Sequence, residues 1–121
     1  MRKILAADDD AGTRVFYEMC LGDAGFEVCA VEDATAAIIK CLEFKPDLLM
    51  LDAEMGGGGG EQVFEKIRGL LEHDIPVIFV TGMPDRVRSL ASKKNVLILR
   101  KPVAAATLVD EVNRMLEAGD A

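Results

Sequence analysis

A few polar residues stand out for what they could do together: Asp8, Asp9 and Asp10 in one run, then Asp52, then Thr81, then Lys101 followed by Pro102. Carboxylates held close together repel and raise one another's pKa, so a cluster of Asp8, Asp9 and Asp52 is best stabilised by a bound cation. Oxygen donors of this kind suit Mg2+, which gives up its waters reluctantly and usually takes one or two carboxylates plus phosphate oxygens. A carboxylate beside that ion can also attack a phosphoryl group, giving an aspartyl phosphate. Thr81 would then donate a hydrogen bond to the transferred group, and Lys101 would hold it as a point charge. The constellation reads as a phosphoryl acceptor. Asp10, the last of the run, suits the cap of a following helix better than a ligand role.

This chemistry requires elements that carry residues from almost the whole chain to one place. Short apolar runs at 4–7, 27–31, 47–51, 77–80 and 96–99 have the length and composition of buried parallel strands. Between them lie segments whose apolar positions step by three and four. The first is marked by Val15 and Met19 with the neighbouring Phe16 and Cys20, and the others span 34–44, 61–72, 85–93 and 104–118. Gly22 and Gly25 suit a helix end, and Pro46 and Pro76 stop the helices that precede strands. Five alternating β/α units predict an α/β fold, a doubly wound parallel sheet covered by helices on both faces with right-handed crossovers. Ligands of such sheets bind outside the carboxyl ends of the strands. Asp8 to Asp10 follow the first strand, Asp52 the third, Thr81 the fourth and Lys101 the fifth, all at that edge.

Composition narrows the setting. The chain has 121 residues, half of them hydrophobic, with 14 Lys plus Arg against 21 Asp plus Glu and a net charge of −7. That length suits a single domain, residues 1–121, burying about two thirds of its unfolded surface without disulfides or structural metal. The acidic balance and the lack of a dense basic cluster argue against nucleic-acid binding. No apolar run nears the roughly 20 residues of a membrane span, and the start lacks a signal-peptide core. A cytoplasmic location is expected. Cys20, Cys29 and Cys41 read as small buried apolar residues. Met19, Met50, Met55 and Met115 read as core filler, and His73 as a charge suited to a helix end. The glycines from Gly56 to Gly60 are not followed by the GK[ST] of a phosphate-binding loop and read as a mobile loop.

With those residues placed, four stretches carry a family resemblance: KILAADDD, LLMLDAEM, VTGMP and KP, in this order. Their key residues are separated by 43, 29 and 20 positions (9 to 52, 52 to 81, 81 to 101). The chain resembles a receiver domain of the two-component response regulators from Lys3 to about Leu116. The resemblance implies a flavodoxin-like strand order 2-1-3-4-5. It implies that Asp52 is phosphorylated by a sensor histidine kinase or phosphotransfer protein, and that Asp9, Asp52 and the backbone carbonyl of Glu54 ligate Mg2+ while Asp8 acts through water. Thr81 and Lys101 would sense the phosphoryl group, Gly82 would leave space for it, and Pro102 would follow a cis peptide. Such a protein is a switch rather than an enzyme, with self-catalysed transfer and slow loss of the group. Glu54 and Met83 occupy positions that tune that loss. The signal would pass to an unidentified downstream protein, with no output domain in these 121 residues.

Departures from the family pattern carry expectations of their own. Gly56 stands where proline is common, so the loop to Gly60 should cost more entropy to order. Ile98 stands where an aromatic residue is common, which argues against an aromatic rotamer switch coupled to Thr81, and Val103 replaces a frequent Phe. These changes bring the usual dimerisation or output face of the last helices into question. They also leave open a receiver-like module that binds partners without phosphorylation. An aspartate-nucleophile phosphohydrolase is a further alternative, although Glu54 stands where that chemistry wants a second Asp.

Overall fold

Apolar runs flanked by turn formers become five parallel strands: β1 (Lys3–Ala7), β2 (Glu27–Val31), β3 (Leu48–Leu51), β4 (Val77–Thr81) and β5 (Val96–Arg100). They are seen in a computed structural model that describes residues 1–55, 59–71 and 74–120. The sheet order is β2-β1-β3-β4-β5. The register sets Ala7 beside Leu51, Leu51 beside Phe79 and Phe79 beside Ile98, so the carboxyl ends of the strands finish level. Three α-helices, α1 (Ala11–Asp23), α2 (Ala34–Phe44) and α3 (Gly60–Leu70), and a 3-10 helix (Pro84–Leu90) make the four crossovers, and α4 (Ala105–Asp120) follows β5. This is the doubly wound, flavodoxin-like α/β architecture expected from the sequence.

Side chains along each strand alternate between two cores, as the two-residue period of a strand requires. Leu5, Leu51 and Phe79 pack with α2, α3 and the 3-10 helix. Ile4, Met50, Ile78 and Val80 pack with Tyr17 and Leu21 of α1 and Leu108 and Val112 of α4. The central strands β1, β3 and β4 are almost wholly buried, whereas the edge strands β2 and β5 are only half-buried.

Local chemistry explains the element boundaries. Asp10 accepts from the Thr13 N–H at 2.8 Å and caps α1 as expected, while Asp33 caps α2 by accepting from the Ala36 N–H at 2.8 Å. Gly25, at φ 97°, reverses the chain after α1, where an L side chain would be strained.

Three expectations are corrected. On α1 the inward residues are Tyr17 and Leu21, with Phe16 and Cys20 partly covered, while Val15 and Met19 face solvent at 53% and 63% exposure. Apolar residues fill both 15–17 and 19–21, so several stripes with the same period compete and periodicity alone does not choose among them. Met19 is therefore not core filler, unlike Met50 and Met55. The segment 85–93 does not form an α-helix. Its only buried apolar residues are Val87 and Leu90, three apart, which matches the three residues per turn of a 3-10 helix begun by Pro84. Of the three cysteines only Cys41 is fully buried, Cys20 and Cys29 partly so. Glycines 56–58 and His73 lie outside the described residues. Among the described residues no helix is long and apolar enough to cross a membrane.

Candidate functional site

β1 and β3 are neighbours in the sheet, so the residues that follow them emerge side by side. Asp8 continues β1, its N–H donating to the Val31 carbonyl, and the Asp52 N–H donates to the Ala7 carbonyl at 3.2 Å. Across β4, Lys101 follows β5, and its N–H donates to the carbonyl of Thr81 at 2.9 Å. The peptide between Lys101 and Pro102 is cis, as the family resemblance implied. The Lys101 Nζ lies 2.7 Å from Asp8 Oδ2 and 3.0 Å from Asp52 Oδ2, bridging two buried carboxylates that are far apart in sequence.

Asp8 and Thr81 are each 1% exposed and Asp52 8%, while Asp9 faces solvent. One carboxylate oxygen from each of Asp8, Asp9 and Asp52 lies within 4.8 Å of the others. Burial pushes the Asp8 carboxyl above its ordinary range, and hydrogen bonds from Lys101 and the Asp10 N–H only partly offset this. For Lys101, burial works against the ammonium but the hydrogen bonds and charges of Asp8 and Asp52 outweigh it, so its pKa is raised. A buried pair of carboxylates answered by one ammonium remains short of positive charge.

Two loops complete the edge. After Asp52, the Glu54 N–H donates to Asp52 Oδ1 at 3.3 Å, and the Glu54 side chain turns outward to pair with Arg86. After β4, Thr81 Oγ1 accepts from the Met83 N–H at 2.9 Å, which folds the start of the 3-10 helix and leaves the hydroxyl proton to point elsewhere. Gly82 is exposed, and a Cβ there would meet nothing within 4 Å. Ile98 packs partly buried against the α2 and α3 side of the sheet.

The structure thus brings together Asp8, Asp9, Asp52 and Lys101, sets Thr81 beside Lys101 through the backbone, and places Glu54 on the rim. Three further residues were not singled out from the sequence, and a fourth, Gly60, was read only as part of the glycine run. Arg14 Nη1 donates to the Asp8 carbonyl at 2.9 Å and anchors the turn after β1. Tyr17 is buried in α1 and lines a cleft of about 550 Å3 with Lys101, Pro102 and Val103. Arg86 reaches Glu54. Gly60 lets α3 start against the loop that follows Asp52: a Cβ there would sit 2.2 Å from the Asp52 carbonyl oxygen and 3.1 Å from the Phe79 ring. The glycine run carried a signal at this position, but of close backbone approach rather than of loop motion.

Comparison with known proteins agrees with this geometry. Residues 4–113 match the family described as the response regulator receiver domain. The chain is 32% identical over 119 residues to the phosphate regulon transcriptional regulatory protein PhoB of Escherichia coli, covering 95% of this chain and 52% of that protein. It therefore spans about half the length of the curated relatives it matches. The receiver domain of the hybrid histidine kinase CckA superposes with a TM-score of 0.81 at 30% identity, over 94% of this chain and 98% of that one. A CheY-like receiver domain protein from Methanospirillum hungatei shares the fold with a TM-score of 0.89 at 24% identity, over 99% and 97% of the two chains.

Proposed function

The chain belongs to the response regulator receiver domain family, and from that premise we propose that Asp52 accepts a phosphoryl group from a histidine kinase or phosphotransfer protein. Residues 1–121 act as one receiver domain in this scheme, and the added charge changes affinity for a downstream protein. The observation that carries it is the Lys101 ammonium held by both Asp8 and Asp52, with Asp9 completing a carboxylate cluster at the same strand edge.

The donor set fits Mg2+. Both Asp8 oxygens already accept hydrogen bonds, from Lys101 and from the Asp10 N–H, which suits contact through water. Asp9 and Asp52, with the backbone carbonyl of Glu54, would hold the ion directly. Bound there, Mg2+ would neutralise phosphoryl oxygens during transfer. The protein's own groups do the rest. An Asp52 carboxylate oxygen attacks phosphorus as the phosphorus bond to the donor breaks. Lys101 moves its ammonium from the carboxylates toward the new anion. The Thr81 hydroxyl, which already accepts from Met83, donates its free proton to a phosphoryl oxygen.

Incubation with acetyl phosphate and Mg2+ tests the assignment by mass spectrometry. The wild-type protein gains one phosphoryl group, and Asp52→Asn gains none. Absence of the gain in the wild type, or its survival in Asp52→Asn, overturns the proposal.

A further inference from the structure

The 3-10 helix reaches back over the acceptor loop through one side chain. Arg86, in its first turn, sets Nη2 2.9 Å from Oε1 of Glu54, two residues beyond Asp52. The end of β4 delivers it there: Thr81 Oγ1 accepts from the Met83 N–H, and the Met83 carbonyl accepts from the Arg86 N–H at 3.1 Å. Among the described residues this is the one ion pair that joins the 3-10 helix to the acceptor loop, since Arg88 pairs with Asp85 inside the helix.

We propose that Arg86 is a positioning residue that sets how long the phosphoryl group stays on Asp52, by holding the Glu54 carboxylate away from the water that removes it. This rests on phosphorylation of Asp52 as proposed above. In the removal step a water oxygen bonds to phosphorus while the bond from Asp52 oxygen to phosphorus breaks. Asp52 leaves as a carboxylate, inorganic phosphate departs, and the water's surplus proton passes to solvent. The Glu54 N–H donates to Asp52 Oδ1, so the root of its side chain lies within one residue's reach of that carboxylate. A free carboxylate there accepts a hydrogen bond from the water and orients it for attack. Paired with the guanidinium, the carboxylate is tethered to the 3-10 helix, and Oε2 is held with it.

The size of the effect follows from exposure. Arg86 and Glu54 are 56% and 49% exposed, and pairs of this kind associate with an equilibrium constant of roughly five at most. The carboxylate is then free about one sixth of the time, and deleting the guanidinium raises that fraction about sixfold at most. The pair is thus too weak to hold the fold together and of the right strength to modulate a rate.

Protein loaded with acetyl phosphate and Mg2+, then freed of donor, is followed for loss of the phosphoryl group by mass spectrometry. Arg86→Ala is expected to lose it about two to six times faster than the wild type, with an unchanged melting temperature. Arg86→Ala combined with Glu54→Ala should decay at the rate of Glu54→Ala alone, and Arg86→Lys should fall between wild type and Arg86→Ala. Decay of Arg86→Ala at the wild-type rate or slower, or an acceleration that persists without Glu54, overturns the role of Arg86. If the wild type takes up no phosphate, the failure lies with Asp52 as acceptor and removes this inference with it.

Discussion

At the amino edge of the sheet, Arg68 of α3 donates to the backbone carbonyls of Ile75 at 2.9 Å and Lys94 at 2.6 Å, just ahead of β4 and β5, and its guanidinium lies 4.6 Å from the centre of the Phe64 ring. At the carboxyl edge, Lys101 donates to the carboxylates of Asp8 and Asp52. Both cations are largely covered, yet the groups that accept their hydrogen bonds differ in kind, since Arg68 meets a carboxylate only at 3.7 Å, that of the half-exposed Asp74. Backbone carbonyls have no charge to change and no other partner once buried, so Arg68 works as a fixed strut. Carboxylates can be claimed by another cation or esterified, so Lys101 has partners it is able to lose. The candidate functional edge is distinguished here by exchangeable partners rather than by charge density.

The largest expected effect comes from the backbone of the carboxyl edge. Gly60→Ala would drive a Cβ to 2.2 Å from the Asp52 carbonyl oxygen and should cost at least about 3 kcal/mol by chemical denaturation, the upper end for overpacking. Gly69→Ala, near the other end of the same helix with nothing within 4 Å, should instead gain about 0.5–1 kcal/mol. Equal stabilities for the two variants would mean that close approach does not hold this edge together.

Replacing the two cations in turn sharpens the contrast. Arg68→Met leaves the carbonyl of the buried Ile75 without this donor and should cost about 1–3 kcal/mol with or without Mg2+. Lys101→Met leaves two carboxylates facing each other, and added Mg2+ should raise its melting temperature more than that of the wild type. Rescue of Arg68→Met by Mg2+, or no difference between Lys101→Met and wild type, would erase the distinction between strut and exchangeable partner.

The smallest effect is spectroscopic. Tyr17 is the one tyrosine and the chain has no tryptophan, so phenolate absorbance reports on it alone. Burial, helped by the charges of Asp8 and Asp52, raises its pKa well above the ordinary 10.0. Because the folded value is the raised one, its contribution to stability is whole below about pH 10 and is lost as pH climbs toward the folded value. Phenolate absorbance should therefore appear only together with unfolding, followed by circular dichroism. A phenolate signal in the folded protein would show that this part of the carboxyl edge is open to water.

The strands and the site residues were legible in the sequence for one reason. A residue closing a buried parallel strand has its position fixed by topology, so Asp8, Asp52, Thr81 and Lys101 could be placed without knowledge of any side-chain contact. Asp10 was legible as a cap because capping depends on three neighbouring residues. The inward face of α1 was not, since adjacent apolar residues offer several stripes and tertiary packing chose Tyr17 and Leu21. The Arg68 clamp joins α3 to two distant loops, and no local pattern announces such a contact. Gly60 was seen as part of a loop because its constraint is the Asp52 backbone, which lies across space rather than along the chain.

The alternation along the strands has one more consequence. Phe79 and Val80 are consecutive, as are Leu5 and Ala6, yet each pair feeds different cores on opposite sides of the sheet. Substitutions on opposite sides share no partners and should combine additively, while those within one layer should couple. The layer of α1 and α4 and the layer of α2, α3 and the short 3-10 helix therefore behave as two separate packing problems, so that one can be redesigned while the other stays as it is.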